Sequence, residues 1–303
     1  MSSSQTNPTP AGPPTSPEEQ LNRLLQRGML IQDQDAAIWF LSNVNYYRFR
    51  GYLEPFIEKP TRNSIRPFLA GTTFDAAVER YIFDMHLRTL LMEAFSHIEV
   101  SIRTQWTYGL AYSQGGGKHA HLNPNLFGSH YGENLATLKE DYRDRGKKLH
   151  HYDFQACPIW VISEIMSFGQ LSRWHNDTGL DIKKSIARHY QLHHRVVRSL
   201  LHPLTLVRNF CAHHELLWDR TIASPFKLPT RMGAFPAPRT FFNETETGKL
   251  YNTLVVIAYL TQAITATTDW SRSLLALMNQ FPNIPQDRMG FISDWQDLAI
   301  WQG

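Results

Sequence analysis

Cysteine is scarce: Cys157 and Cys211 are the only two in 303 residues. They form no CxxC pair, which removes zinc-ribbon chemistry, and two thiols build no disulfide framework. A reducing, cytoplasmic setting is the expectation. No apolar run reaches the roughly 18 residues that a membrane helix needs, so no membrane partner is expected. The opening stretch, MSSSQTNPTPAGPPTSPEEQ, lacks a basic segment followed by an apolar core and does not read as a secretory leader. Clusters of β-branched residues are few and hairpin signals are missing, which argues against a sheet. Charge of one sign is lacking too. A formal net charge of +3 permits a polyanionic partner without demanding one, so a local basic surface would have to attract it.

Several catalytic signatures are also absent. There is no GxSxG elbow. GGGK, Gly115 to Lys118, is not a phosphate loop, because Tyr112 and His119 stand where that loop needs Gly and Ser or Thr. The 14 histidines include three adjacent pairs, His150-His151, His193-His194 and His213-His214. Neighbours on a helix point about 100° apart and chelate one ion poorly. The HExxH spacing is missing, so neither a metal nor any other cofactor is expected.

What is present is helical periodicity. Residues 1–17 are rich in Ser, Thr, Pro and Gly and read as a disordered tail. Residues 18–303 read as a single all-α domain. Ser16, Pro17, Glu18 and Glu19 mark a first helix start and Gly28 its stop. DQDAAIWFLSNVNYYRF reads as a second helix. From a Thr73 cap, apolar residues at Val78, Ile82, Met85, Leu87, Leu90, Leu91, Ala94, Phe95, Ile98 and Ile102 predict one long helix. SQGGGKHAHLNPNLFG interrupts it, and LKEDYRDRGKKLHHYD follows as a solvated helix. PIWVISEIMSFGQLSRWHND, IKKSIARHYQ and RVVRSLLHPLTLVRNFCAHHELLWDRTI continue helically, with Pro203 starting or kinking a helix. A loop over Ala223–Phe242 precedes apolar helices in TGKLYNTLVVIAYLTQAITATTDW and SRSLLALMNQF.

The chemistry concentrates in LTLVRNFCAHHELLWDR, Leu204 to Arg220. Cys211 reads as a small core residue rather than a nucleophile. Asn209 and His213 lie four apart and share a helix face. Arg208 sits at a different angle, and its long side chain can sweep toward the same cleft. An imidazole moves protons, and a guanidinium holds phosphate by paired hydrogen bonds and stabilises charge in a phosphoryl transition state. The bland alternative is a capped helix start in which Arg208 pairs with Glu164 or Glu99. Glu99 and Arg103, four apart, read first as an internal ion pair. The basic segments Arg143–His151 and Ile182–Arg198 are candidate RNA contacts or solvated faces. Tyr190 is a conceivable modification target with no direct support.

RNFCAH, Arg208 to His213, resembles the Arg-polar-x3-His motif of the HEPN ribonuclease superfamily. The surrounding LTLVRNFCAHHELLWDR resembles the signature of Abi-like proteins, the abortive-infection family with AbiD and AbiF types. LLQRGMLI, LSNVNYYRFRGYLEPF, the long helix, PIWVISEIMSFGQLSRW and MGFISDWQDLAIW agree in order, so the resemblance spans about Leu21 to Trp301. It implies a HEPN-like helical bundle with additional peripheral helices, in a bacterial, toxin-like effector of antiviral defence. It implies a metal-independent endoribonuclease acting as a homodimer with a composite site. By carry-over Arg208 holds phosphate, His213 is acid or base and Asn209 positions them. His214, Arg220, Glu99 and Arg103 are candidate supports. RNA is the implied partner. The alternative reading is a protein that binds a small structured regulatory RNA and cuts weakly or not at all.

Overall fold

Helix starts and stops explain most of the architecture. The structure, a computed structural model, describes residues 13–58, 66–146, 152–265 and 269–302. Eleven helices and no strand occur among these residues, so the fold is all-α. The chain falls into two compact units, Met1–Ile82 and Phe83–Gly303. Most of the expected N-terminal tail lies outside the described residues.

The first unit opens with α1, Pro17–Gln26, under a full capping box in which Ser16 and Glu19 satisfy each other's backbone N–H. Gly28 ends it at φ +88°, as its position predicts. α2 spans Gln34–Asn43 with Asp33 as its cap. The expected second helix does not run on. Val44 is extended and Asn45 caps a new helix, α3, Tyr46–Leu53. The Asn45 side chain accepts from the Tyr47 N–H, so a local hydrogen bond outcompetes helical continuation. Phe40, Phe49, Tyr52, Phe74 and Tyr81 form an edge-to-face aromatic cluster at the centre of this unit.

α4, Phe74–Ala111, starts beside Thr73, whose hydroxyl accepts from the Ala76 N–H. In the second unit its buried stripe is Phe83, Leu87, Leu91, Ala94, Phe95, Ile98, Ile102, Trp106 and Leu110. Met85 is exposed rather than in that stripe, because the four-residue step from Phe83 to Leu87 passes it by. The helix ends at Ala111, and the GGGK loop folds back on that end: a side chain on Gly116 would clash with the Leu110 carbonyl, and the Gly117 N–H donates to the Ala111 carbonyl at 2.8 Å. α5, Tyr131–Asp141, runs into a wide turn over Tyr142–Gly146.

The next expected helix is split. α6, Ile159–Ile162, is a single turn, and α7, Phe168–Asp177, begins afresh at Ser167 and Gln170, which form a second capping box. α8 covers Leu180–His189 and α9 covers His194–Ala212 with Pro203 inside it. α9 packs on α7 and α8. α10, Leu250–Ile264, is buried on all sides from Leu250 to Thr261, and α11, Trp270–Gln280, follows. Among the described residues no helix is long and apolar enough to cross a membrane.

Two histidines, His121 and His175, are fully buried, and neither ring has a hydrogen-bond partner among the described residues. Burial, with His119 adding to it, lowers the pKa of His121 to about 4. Burial, with Lys183 and Arg198 adding, lowers that of His175 to about 3. Both therefore stay neutral in the fold while the unfolded chain, titrating near 6.5, takes up protons. Their contribution to stability is complete above pH 6.5 and declines as pH falls below it, by about 1.4 kcal/mol per pH unit each. Unfolding free energies from denaturant titrations at pH 7.5 and pH 5.0 should differ by about 4 kcal/mol from this pair alone. A flat profile over that range would refute the assignment.

Candidate functional site at the end of α9

α9 ends inside the motif, not before or beyond it. His213 is the cap residue and His214 adopts the left-handed conformation at φ +56°. The His214 N–H donates to the Cys211 carbonyl at 3.1 Å and the Glu215 N–H to the Phe210 carbonyl at 2.8 Å. These two bonds make a Schellman stop, in which glycine is the usual left-handed residue. A histidine there costs on the order of 1 kcal/mol. The helix expected to continue to Ile222 therefore stops at Ala212, and the motif caps a helix end rather than a helix start.

The strained turn is clamped from α4. Asp84, completely buried, accepts the N–H groups of Leu217 at 3.2 Å and Trp218 at 2.8 Å. Arg88 pairs with Asp84 and donates to the Glu215 carbonyl at 3.2 Å. Arg220 closes the outer side. Its guanidinium donates to Glu215 at 2.7 Å and lies 3.9 Å from the Phe210 ring centre. Arg220 thus supports the turn as a staple. Cys211 is buried beneath, its thiol raised to about 12 by burial and by Asp84, which suits a core residue and not a nucleophile.

The cationic part of the site is built on Glu99. One oxygen lies 2.9 Å from the Arg103 guanidinium and the other 3.3 Å from Arg208 Nε. Arg103 also donates to the Met166 carbonyl at 3.1 Å and stands 3.7 Å from Glu164. Arg103 is thus the internal partner that the spacing predicted, and Glu99 extends the pair to Arg208. Arg208 Nε is at ion-pair distance without hydrogen-bond alignment. Its terminal amino groups make no hydrogen bond among the described residues. The arrangement tethers one edge of the guanidinium and presents the fork.

Asn209 and His213 lie on the neighbouring outer face of α9, Asn209 half-buried and His213 exposed. Five residues place Arg208 about 140° from His213 around the helix. The His213 backbone N–H donates to the Asn209 carbonyl at 2.9 Å, but no side-chain hydrogen bond or ion pair joins Arg208, Asn209 and His213 to one another among the described residues. The chain thus brings Asn209 and His213 together and sets Arg208 to one side, against α4. His214 is exposed on the turn itself.

The other candidates sort simply. Among the described residues no three His, Cys, Asp or Glu side chains could hold a metal. His193 and His194 face each other with ring centres 4.2 Å apart, while His150-His151 lies outside the described residues. Arg143 pairs with Asp144 and Arg145 with Asp141, which offsets that basic segment. Tyr190 is buried with its hydroxyl bonded to Ser101 at 2.8 Å, so it is no exposed modification target. Asp84 and Arg88 were not legible in advance. They sit on α4 among ordinary charged residues, more than a hundred positions before the turn that they hold.

A family model described as Abi-like protein matches residues 39–219, more than half of the chain and all of the turn just described up to Asp219. No curated protein and no solved structure matches.

Proposed function

The chain belongs to the Abi-like protein family, and from that premise we propose that it is an abortive-infection effector that cuts RNA without a metal ion. It acts as a homodimer with a site shared between two copies, and belongs with the HEPN ribonucleases. The observation that carries this reading is the end of α9. A guanidinium is tethered at one edge with its fork unengaged, and around the same helix end stand a half-buried amide and, at the clamped turn, an exposed imidazole.

The phosphodiester reaction that needs no metal is internal transesterification. The ribose O2′ attacks phosphorus, the O2′–P bond forms and the P–O5′ bond breaks. The proton lost at O2′ is matched by one gained at O5′. An imidazole suits either transfer, but one imidazole is not base and acid in a single protonation state. In-line displacement also puts the two oxygens on opposite sides of phosphorus. A His213 from each of two copies meets both demands, which is the chemical argument for a homodimer. Arg208 holds the non-bridging oxygens and offsets their growing charge. Asn209, on the face of His213, orients the imidazole or the phosphate.

The test is purified protein on end-labelled RNA in excess EDTA. Cutting should persist, leave a 2′,3′-cyclic phosphate or 3′-phosphate and a 5′-hydroxyl, and spare DNA of the same sequence. Activity lost to EDTA overturns the mechanism. A discrete RNA that co-purifies, binds again after removal and is never cut would instead make this chain the RNA-binding partner of a small structured RNA.

A further inference from the structure

The outer face of α9 carries more than the end of the motif. Arg195, Arg198, His202, Asn209 and His213 follow one another at steps of three, four, seven and four residues. At 3.6 residues per turn they keep within about 60° of one line along the helix. Arg195, Arg198, His202 and His213 are exposed.

The beginning of this line is a built pocket. Arg195 and Arg198 meet Asn176 of α7, Ser199 and Lys227 around a cavity of about 330 Å³. No carboxylate lines it, and none of its three cations forms an ion pair among the described residues. Ser199 fixes the loop to the helix by accepting from the Lys227 N–H at 3.0 Å. Below the pocket, Lys183 donates to the Asn176 carbonyl at 2.7 Å. Its pKa is lowered, by burial first and by Arg198 second, with Asp177 opposing the shift. The neutral, buried His175 lies close enough to feel both Lys183 and Arg198. Like charges around a lining that holds no carboxylate repel one another, and a phosphate relieves that repulsion. The pocket also sits at the first turns of α9, the positive end of the helix dipole.

We propose that Arg195, Arg198 and Lys227 form a phosphate subsite gripping the backbone of the RNA strand whose scissile bond lies at His213. The inference rests on the ribonuclease reading for the strand's destination, and on the pocket for the grip. From Arg198 to His213 the helix rises about 22 Å. That length spans several nucleotides of a single strand. The grip is to phosphate and carries no sequence preference. The larger cavity nearby, lined by Asp181, Lys184, Arg188 and His194, carries no such role, because Asp181 already pairs with Lys184 at 3.5 Å.

The experiment is fluorescence anisotropy of a labelled single-stranded RNA across a range of salt. The protein is the full chain and the variant is Arg195→Gln with Arg198→Gln. Losing two phosphate contacts should make the slope of log affinity against log salt shallower by about 1.4, and weaken binding about 25-fold at 0.1 M salt. A second variant, Arg239→Gln with Arg272→Gln, removes two exposed arginines that already pair with Glu244 and Asp269. It should bind almost as the wild type does. An unchanged slope in the first variant, or an equal loss in the second, overturns the subsite. Cutting that persists alongside that unchanged slope sinks the subsite alone. Wild-type protein that binds with the full slope and never cuts sinks the ribonuclease reading and leaves the grip. Wild-type protein that binds no RNA sinks both.

Discussion

Asp84→Ala is expected to destabilise the second unit by about 3–5 kcal/mol, the usual cost of breaking a buried charge pair from one side. The carboxylate is fully buried and satisfies the Leu217 and Trp218 N–H groups together with Arg88. Removing it strands two backbone donors and takes the counter-charge from the buried Arg88 guanidinium. Asp84→Asn keeps an acceptor for the backbone groups and loses the charge facing Arg88, so it should fall between wild type and alanine. Urea titrations of the three proteins check the order. A loss under 1 kcal/mol for alanine would mean that the clamp is not what holds the turn. The same substitution has a functional signature. His213 stands on the clamped turn, so activity in Asp84→Asn should decline at temperatures where the helical signal is intact.

The sequence makes some of this structure readable and hides the rest for physical reasons. α1 is readable because Ser16 and Glu19 act on backbone groups three residues away. The breaks at Asn45 and Ser167 are harder, because apolar residues continue across both and only a short polar side chain decides the stop. The end of α9 is harder still. A left-handed position normally betrays itself by glycine, and here it is His214. In the site, the Glu99–Arg103 pair follows from helix spacing, and the approach of Arg208 to Glu99 was one of two carboxylates that the residue types allowed. The Met166 carbonyl and the Asp84 clamp depend on contacts between distant parts of the chain, which no local pattern encodes. Lys227 was hidden for the same reason: it lies in a loop, and only folding sets it beside Arg195 and Arg198.

His213→Ala is expected to lower RNA cutting by about 10²- to 10⁴-fold, the range that general acid–base catalysis supplies. The residue is exposed, and its backbone N–H bond to the Asn209 carbonyl at 2.9 Å survives the change, so the fold should be unaffected. Arg208→Ala should cost about 10²- to 10³-fold through lost charge stabilisation. Arg208→Lys should recover little, because an ammonium cannot hold Glu99 with one edge and phosphate with a fork. Glu99→Gln separates positioning from chemistry: a modest loss of rate with RNA affinity unchanged or higher, since one negative charge near the phosphate has gone. If the site is shared, rate per protomer must rise with protein concentration until the dimer is saturated, and the His213→Ala protein must poison wild type when mixed in excess. First-order dependence on protein at all concentrations, with no poisoning, would show that one copy does the whole reaction. The single imidazole would then have to serve O2′ and O5′ in turn.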